Sequence, residues 1–356
     1  MKLETQKFLH EHGLDELVSR FVIKAKRHEK HPNLVLFKYN QTDSPMHEPL
    51  VRECRGLILD EDRGWEIVAF PYTRFFNLGE ANAAEIDWDT ARFQEKLDGS
   101  LMILYFYDGQ WEIASSGLPD ASGSRHGGAG NFRELFWETW NGLGYALPEE
   151  NHFCYMFELI TPENKIIVQY DESRIVLHGC RDLRTLNEHP PEPVAEQYGW
   201  EAVRTFAFTD VDELLETTRA IDPKQGEGFV IRDANFNRLK VKNPRYVQLN
   251  ALRDGVSPRA FTAMIRANET EEFLAYFPEY ESDLEKLRTK LDALIGEIEE
   301  TFAGLRDIDE QREFAAKAVP HGFSRALFEL RSGKVQSARE AVNAMPAKVL
   351  HRLLGI

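Results

Sequence analysis

The sequence predicts an α+β protein, strands first and an all-helical region after them, on three observations. From Asn33 to about Val247 short apolar runs are bounded by Gly, Pro, Asn and Asp, as strand ends usually are. The helical segments between them, such as Phe132 to Trp140 and Val211 to Thr218, are too few for a regular βαβ alternation, which favours antiparallel sheets over a doubly wound fold. After Pro258 the period changes, and Leu284, Leu287, Leu291, Leu294, Ile295 and Ile298 recur at spacings of three and four, the mark of a helix with one buried face. These observations divide the chain into a domain over residues 1–250 and a small helical domain over 251–356.

The expected strands, in order, cover Leu34–Phe37, Gly56–Leu59, Met102–Tyr107, Ile166–Val168, Arg174–Leu177 and Phe229–Ile231. Ser282 is a candidate N-cap for the long helix, with Glu285 three residues on completing a capping box. Further helices are expected over Glu310–Ala318, Ser324–Leu330 and Ser337–Asn343, interrupted at Pro320, Gly333 and Pro346. Between Gly117 and Gly130 the chain is rich in Gly and Ser, which reads as a loop.

At 356 residues the chain is long enough for two cores. No apolar run approaches the length needed to cross a bilayer, and Met1 to Gly13 is charged rather than signal-like; a soluble, cytoplasmic protein with no membrane partner is the expectation. Cys54, Cys154 and Cys180 are widely spaced and lack a Cys-x-x-Cys pair, which reads as buried reduced thiols rather than a zinc site. A net charge of -16 excludes binding of a polynucleotide by bulk attraction, so any such partner needs a local basic groove.

Chemistry concentrates around Glu95-Lys96-Leu97-Asp98-Gly99-Ser100-Leu101, where a lysine stands two residues before an Asp-Gly pair. Alone, Lys-x-Asp-Gly is an ordinary surface turn. Its weight comes from an ordered series: Glu53-Cys54-Arg55-Gly56 before it, then Phe157-Glu158-Leu159-Ile160, Glu227-Gly228-Phe229-Val230-Ile231-Arg232 and Leu239-Lys240-Val241-Lys242. A lysine that attacks phosphorus must shed its proton, and Lys240 and Lys242, on one face of a strand by alternation, could both neutralise a phosphate and depress the pKa of a nearby Lys96. Gly99 allows close backbone approach or a positive φ, and Asp98 suits a turn. Glu158 and Glu227 interrupt apolar runs and so need partners: a ribose hydroxyl for Glu158, and for Glu227 a hydrated magnesium ion or a salt bridge to Arg232 or Arg245. Arg55 suits bidentate phosphate recognition.

This ordered set resembles the signature of the covalent nucleotidyltransferases, the polynucleotide ligases and RNA capping enzymes. With Phe75-Phe76-Asn77-Leu78-Gly79-Glu80, Asn164-Lys165-Ile166-Ile167-Val168 and Tyr246, it is similar to one branch, the first type of phage RNA ligase, which seals single-stranded ends in tRNA repair, and its bacterial relatives. The resemblance covers roughly Asn33 to Val247. It implies a nucleotidyltransferase (adenylyltransferase) domain of antiparallel sheets with flanking helices, using ATP with Mg2+ or Mn2+. In the implied reaction Lys96 attacks the α-phosphate of ATP and keeps AMP, the AMP passes to an RNA 5′-phosphate, and a 3′-hydroxyl displaces it. Tyr39, Arg55, Arg74, Glu158, Lys240 and Lys242 would contact the nucleotide, Glu227 the metal, and Tyr246 would be an essential neighbour.

Two departures stand out. Arg74 replaces a lysine that the phage enzyme carries before its Phe-Phe-Asn segment. Where this chain reads Ser115-Ser116-Gly117 the phage enzyme also has a lysine, so part of the β/γ-phosphate grip must be missing or come from elsewhere, with Arg125 one candidate. Glu271-Glu272 is a candidate match to a metal-binding acidic pair. A ligase for nicked duplex or DNA ends, a capping enzyme, and a nucleotidyltransferase fold used only to bind nucleic acid are the rival readings. The helical tail, in place of a small β-barrel, argues against DNA ligases and capping enzymes. No Gly-x-x-x-x-Gly-Lys-Ser/Thr loop occurs, so an end-processing kinase/phosphatase on a separate chain is expected. Residues 269–313 hold fifteen acids against five Lys/Arg and residues 314–356 seven Lys/Arg against two acids, which suggests that His321 to Lys334 holds RNA.

Overall fold

A computed structural model of the chain describes residues 2–40, 44–80, 82–123, 130–164, 166–253, 257–267, 270, 274 and 278–356. Arg125, Lys165, Glu271 and Glu272 lie outside the described residues. Contacts group the chain into two compact units, residues 1–247 and 248–356.

The first unit opens with two helices, Glu4–His12 and Leu14–Phe21, which the strand pattern starting at Asn33 does not anticipate. Strands β1 (Ile23–Arg27), β2 (Leu34–Tyr39), β3 (Arg55–Asp60) and β4 (Glu66–Ala69) then form an antiparallel sheet in sequence order. Next, β5 (Phe76–Asn77) and β6 (Arg92–Glu95) begin a sheet that the chain completes much later. Between the two parts run β7 (Ser100–Tyr107), β8 (Gln110–Ser115), β9 (Phe153–Ile160), β10 (Arg174–Asp182), β11 (Glu188–His189) and β12 (Glu201–Ala202). These pair in the order β11-β10-β9-β7-β8, with β12 added beside β10. Finally β13 (Thr205–Phe206), β14 (Gly228–Arg232) and β15 (Arg238–Lys242) close the remaining sheet in the order β13-β6-β14-β15-β5. Pairing is antiparallel except for β10 with β12 and β15 with β5, so the expected α+β class holds.

The apolar runs are continuous where a strand is buried on both faces. In β2, Leu34 and Leu36 pack with Ile103, Tyr105 and Met156 of the six-stranded sheet, while Val35 and Phe37 pack with Leu9 and Leu17 of the N-terminal helices. The last sheet divides its faces differently. Phe229, Ile231, Leu239 and Val241 join Leu214 in a core, leaving Gln94, Val230, Lys240 and Lys242 on the face that lines a cavity. Cys54, Cys154 and Cys180 are free and buried, and burial pushes each thiol up to about 12. One expected strand is absent: Ile166-Ile167-Val168 forms a bend, because its amides serve a side chain rather than a ladder.

In the second unit the helix Glu281–Leu305 buries Leu284, Leu287, Leu291, Leu294, Ile295 and Ile298 as the spacing predicts. It starts one residue before Ser282, with Tyr280 at the N-cap and no side-chain cap bond, so the expected capping box does not form. Helices Gln311–Ala318, Ser324–Arg331 and Ala338–Ala344 follow near their expected places, the last capped by Ser337, whose Oγ accepts the Glu340 amide at 3.1 Å. Pro258–Ala267 and Ala347–Leu353 are further helices. Among the described residues of this unit no strand occurs. Several cations of residues 314–356 are engaged with neighbours in the unit: Arg325 and Lys334 both pair with Glu329, at 3.0 and 3.3 Å. Arg331 lies 4.3 Å over the Phe314 ring and donates to the Asp309 carbonyl. The cations of His321 to Lys334 are therefore engaged within the unit.

Candidate active site

Lys96 directly follows β6, and its amide donates to the Gly228 carbonyl at 2.9 Å. Because β6 pairs with β14 and β14 with β15, in a register that sets Gly228 opposite Lys242, three distant sequence positions meet at one sheet end. Glu227 Oε2 lies 2.6 Å from Lys96 Nζ, and Oε1 lies 2.7 Å from Lys242 Nζ. Glu227 is only 4% exposed. Burial by itself would push its carboxyl up, but Lys96 and Lys242 together hold it below the ordinary carboxylate value. Its ion-pair partners among the described residues are thus Lys96 and Lys242, and not Arg232 or Arg245, the salt-bridge alternative to a hydrated magnesium ion.

Lys240 and Lys242 share a face while Leu239 and Val241 are buried, as alternation requires. Burial, with Arg55, Lys96, Arg74 and Lys242 nearby, pushes the Lys240 amine down to about 6. The ammonium of Lys240 lies 4.6 Å and the guanidinium of Arg55 5.1 Å from the Phe75 ring centroid. Arg74 donates to the Tyr39 hydroxyl at 2.8 Å and lies 5.0 Å over that ring.

Asp98 is not in an exposed turn. It is 3% exposed, and its carboxylate accepts the amides of Ile167 and Val168 at 2.9 and 2.8 Å and the hydroxyl of Tyr246. Burial raises its pKa in spite of these donors. Here lies the reason for the bend at 166–168, and for the place of Tyr246: both fix the loop that carries Lys96. Gly99 does not have a positive φ. A Cβ there would stand 2.5 Å from the Leu159 carbonyl and 3.0 Å from Glu158 Cγ, so glycine is needed for close approach to β9. The Gly99 amide in turn donates to Glu158 Oε1 at 3.1 Å.

Glu158 Oε2 is 3.4 Å from His178 Nε2. His178 sits at a bulge in β10, which turns its ring to Tyr72, whose hydroxyl is 2.9 Å from Nδ1. Neither His178 nor Tyr72 belongs to a recognisable motif; only the extra residue of the bulge brings them in.

Two cavities share a wall. One is lined by Lys96, Glu158, His178 and Phe75, with Leu97, Leu101, Val203 and Val230 as apolar surface. The other, about 680 Å³, is lined by Tyr39, Arg74, Lys24, Lys38, Asn77, Ser116 and Gly117. Arg55, Lys240, Lys242 and Leu101 line both. Every expected nucleotide contact therefore lines one cavity or the other. Glu227 lies behind the shared wall, and Asp98, Gly99 and Tyr246 support it. Among the described residues no group of three or more His, Cys, Asp or Glu side chains could hold a metal ion.

Comparison with known proteins decides the family. Residues 53–246, more than half of the chain, match the model of an RNA ligase family. The chain belongs to this RNA ligase family. It is 27% identical over 347 residues to an RNA ligase of Rhodothermus phage RM378, covering 78% of each chain. It is also 27% identical over 307 residues to an Autographa californica nuclear polyhedrosis virus protein provisionally named a bifunctional polynucleotide kinase/RNA ligase, covering 79% of this chain and 42% of that protein. A solved archaeal ATP-dependent RNA ligase aligns over 90% of both chains with a TM-score of 0.48 and 13% identity. The matched segment of this RNA ligase family member contains Arg55, Lys96, Glu158, Glu227, Lys240, Lys242 and Tyr246. No helix among the described residues is long and apolar enough to cross a membrane.

Proposed function

We propose that this chain is an ATP-dependent ligase that joins a 5′-phosphate to a 3′-hydroxyl in single-stranded RNA through a lysyl-AMP intermediate on Lys96. The observation that carries the reading is the meeting of Lys96, Glu227, Lys240 and Lys242 at one cavity wall, with a second cationic cavity beyond it. Nζ of Lys96 attacks the α-phosphorus; a P–N bond forms, the P–O bond to pyrophosphate breaks, and the amine gives up a proton. At rest Lys96 is engaged with Glu227, so attack requires that contact to loosen. Magnesium or manganese, when bound, neutralises phosphate oxygens, and Glu227 is the residue that would hold its hydration shell. Lys240, Lys242, Arg55, Arg74 and Tyr39 hold phosphates, and Glu158 takes a ribose hydroxyl. Asp98, Gly99 and Tyr246 keep the Lys96 loop in place. AMP then passes to the RNA 5′-phosphate, and the 3′-hydroxyl displaces it.

In this reading residues 1–250 perform adenylation and 251–356 form a separate helical domain. A kinase/phosphatase on another chain prepares the RNA ends, and the protein works in the cytoplasm, where its three free thiols stay reduced. Incubation with α-labelled ATP and magnesium, followed by denaturing electrophoresis, should show an acid-labile adduct on the wild type and none on Lys96→Ala. A mapped adduct elsewhere would refute the assignment. A linear 5′-phosphorylated RNA should be joined or circularised in preference to a nicked duplex, and the opposite preference would favour the nick-sealing alternative.

A further inference from the structure

We infer that Lys38, aided by Lys24, supplies the cation that this chain lacks at Ser115-Ser116-Gly117, and that the cavity beyond Arg55 holds the β- and γ-phosphates that leave as pyrophosphate. The inference rests on the proposed adenylation at Lys96. Lys38 lies on β2, across from that serine pair, and its Nζ donates to Ser116 Oγ at 3.2 Å. The same Nζ stands 3.4 Å from where a Cβ on Gly117 would be, so its charge occupies the space beside the segment where the phage enzyme has its own lysine.

Strand register makes this a row rather than a single charge. Lys24 on β1 is paired with Lys38 on β2, and Lys38 with Arg55 on β3. Arg55 reaches that register because Gly56, at φ +94°, is the extra residue of a bulge between the two strands, and bulges re-aim side chains. Like charges directly opposite on neighbouring strands are destabilising. Among the described residues no carboxylate lies within ion-pair distance of Lys24, Lys38, Arg55, Arg74 or Lys240. In a chain of net charge -16 such a set calls for a polyanionic ligand. Burial, then Arg55 and Lys24, lowers the pKa of Lys38, which agrees with a cation held for a partner it has yet to meet.

The choice of pyrophosphate over an RNA backbone follows from the attack geometry. A displaced group leaves opposite its nucleophile. Lys96 lines the first cavity and not the second, while Arg55, Lys240 and Lys242 line both. An α-phosphate at the shared wall therefore has Lys96 on one side and the Lys38 row on the other.

The test separates the steps. With α-labelled ATP, single-turnover adenylation of Lys38→Ala at subsaturating ATP should fall about tenfold or more, the effect of losing one charge-assisted contact. Reversal of the adduct by added pyrophosphate should weaken in parallel. Joining of RNA supplied already adenylylated at its 5′ end, which needs no pyrophosphate site, should persist and reports that the variant is folded. Lys38→Ala combined with Ser116→Lys should regain adenylation. Unchanged adenylation in Lys38→Ala would overturn the inference, as would a loss confined to the pre-adenylylated joining, which would make the cavity an RNA phosphate site. Failure of the wild type to label at all would instead strike the proposed function.

Discussion

Two regions of this molecule are rich in cations and use them in opposite ways. Around the shared cavity wall, Lys24, Lys38, Arg55, Arg74 and Lys240 have no carboxylate within ion-pair distance among the described residues. Over residues 314–356 the density of positive charge is just as evident in the sequence, yet Arg325 and Lys334 converge on Glu329, Arg339 meets Asp292 and Lys317 meets Glu313. Charge density along a sequence therefore does not locate a phosphate site. What marks the proposed phosphate site is that most of its cations, Lys96 and Lys242 beside Glu227 excepted, are kept apart from acids, at an energetic cost to the fold that an anionic ligand would offset.

The comparison breaks most readily at Lys240. Replacing it with Met should lower the rate of adenylation by about 10²–10³-fold, since the site loses a charge aimed at the reacting phosphate. A second signature is pH. With its amine pushed down to about 6, Lys240 is neutral in the empty site at pH 8 and is recharged by a phosphate beside it. Binding of an ATP analogue with a blocked α–β bridge should take up close to one proton at pH 8, and affinity should fall as pH rises from 6. Between about 6 and the unfolded lysine value the unfolded chain holds more protons than the folded one, so this group's contribution to stability rises with pH across that window. Calorimetry in buffers of different ionisation enthalpy should find the proton uptake in the wild type and not in Lys240→Met. Equal uptake in both would mean that Lys240 is charged before ligand arrives.

A smaller effect is expected one layer behind the cations. Tyr246→Phe removes the hydroxyl that Asp98 accepts and leaves the Ile167 and Val168 amides to hold that carboxylate. Loss of one buried hydrogen bond costs about 1 kcal/mol, so stability and adenylation should each fall modestly, the latter by about tenfold or less. Combining Tyr246→Phe with Asp98→Asn should cost less than the sum of the two, because both act on one network. Additive losses would show that Tyr246 acts on the nucleotide directly.

These residues also mark how far the sequence is legible. Period and motif carry what depends on neighbours along the chain: the alternation of Leu239 to Lys242, the stripe from Leu284 to Ile298, and the segment of the proposed nucleophile, Lys96. They do not carry what depends on register. His178 faces Glu158 only because β10 is bulged there, and Lys38 faces Arg55 only because Gly56 is inserted opposite it, with no local signal in either case. Ile166-Ile167-Val168 reads as a strand because it is an apolar run, whereas the amides of Ile167 and Val168 are committed to Asp98. At Ser282, capping-box spacing is present and the helix begins one residue earlier.

The smallest expected effect belongs to the C-terminal unit, where it sharpens the comparison most. Arg325 and Lys334 are well exposed and share one carboxylate, Glu329, whose pKa is lowered chiefly by its hydrogen bond from Arg325. Exposed pairs of this kind contribute about 0–1 kcal/mol. The double variant Arg325→Ala, Lys334→Ala should therefore melt within a few degrees of the wild type and keep both adenylation and RNA joining within about twofold, with the salt dependence of joining unchanged. Arg331→Ala should lower the melting temperature more than that pair does, because it strips a guanidinium from the Phe314 ring and leaves the Asp309 carbonyl without its donor. If instead the double variant joined RNA poorly, with a flatter salt dependence and normal adenylation, then Glu329 would be a counter-ion that gives way to RNA. Exposed, acid-paired cations outside the cavity would in that case serve phosphate as readily as the isolated row beside Arg55, and the distinction between the two regions would fail.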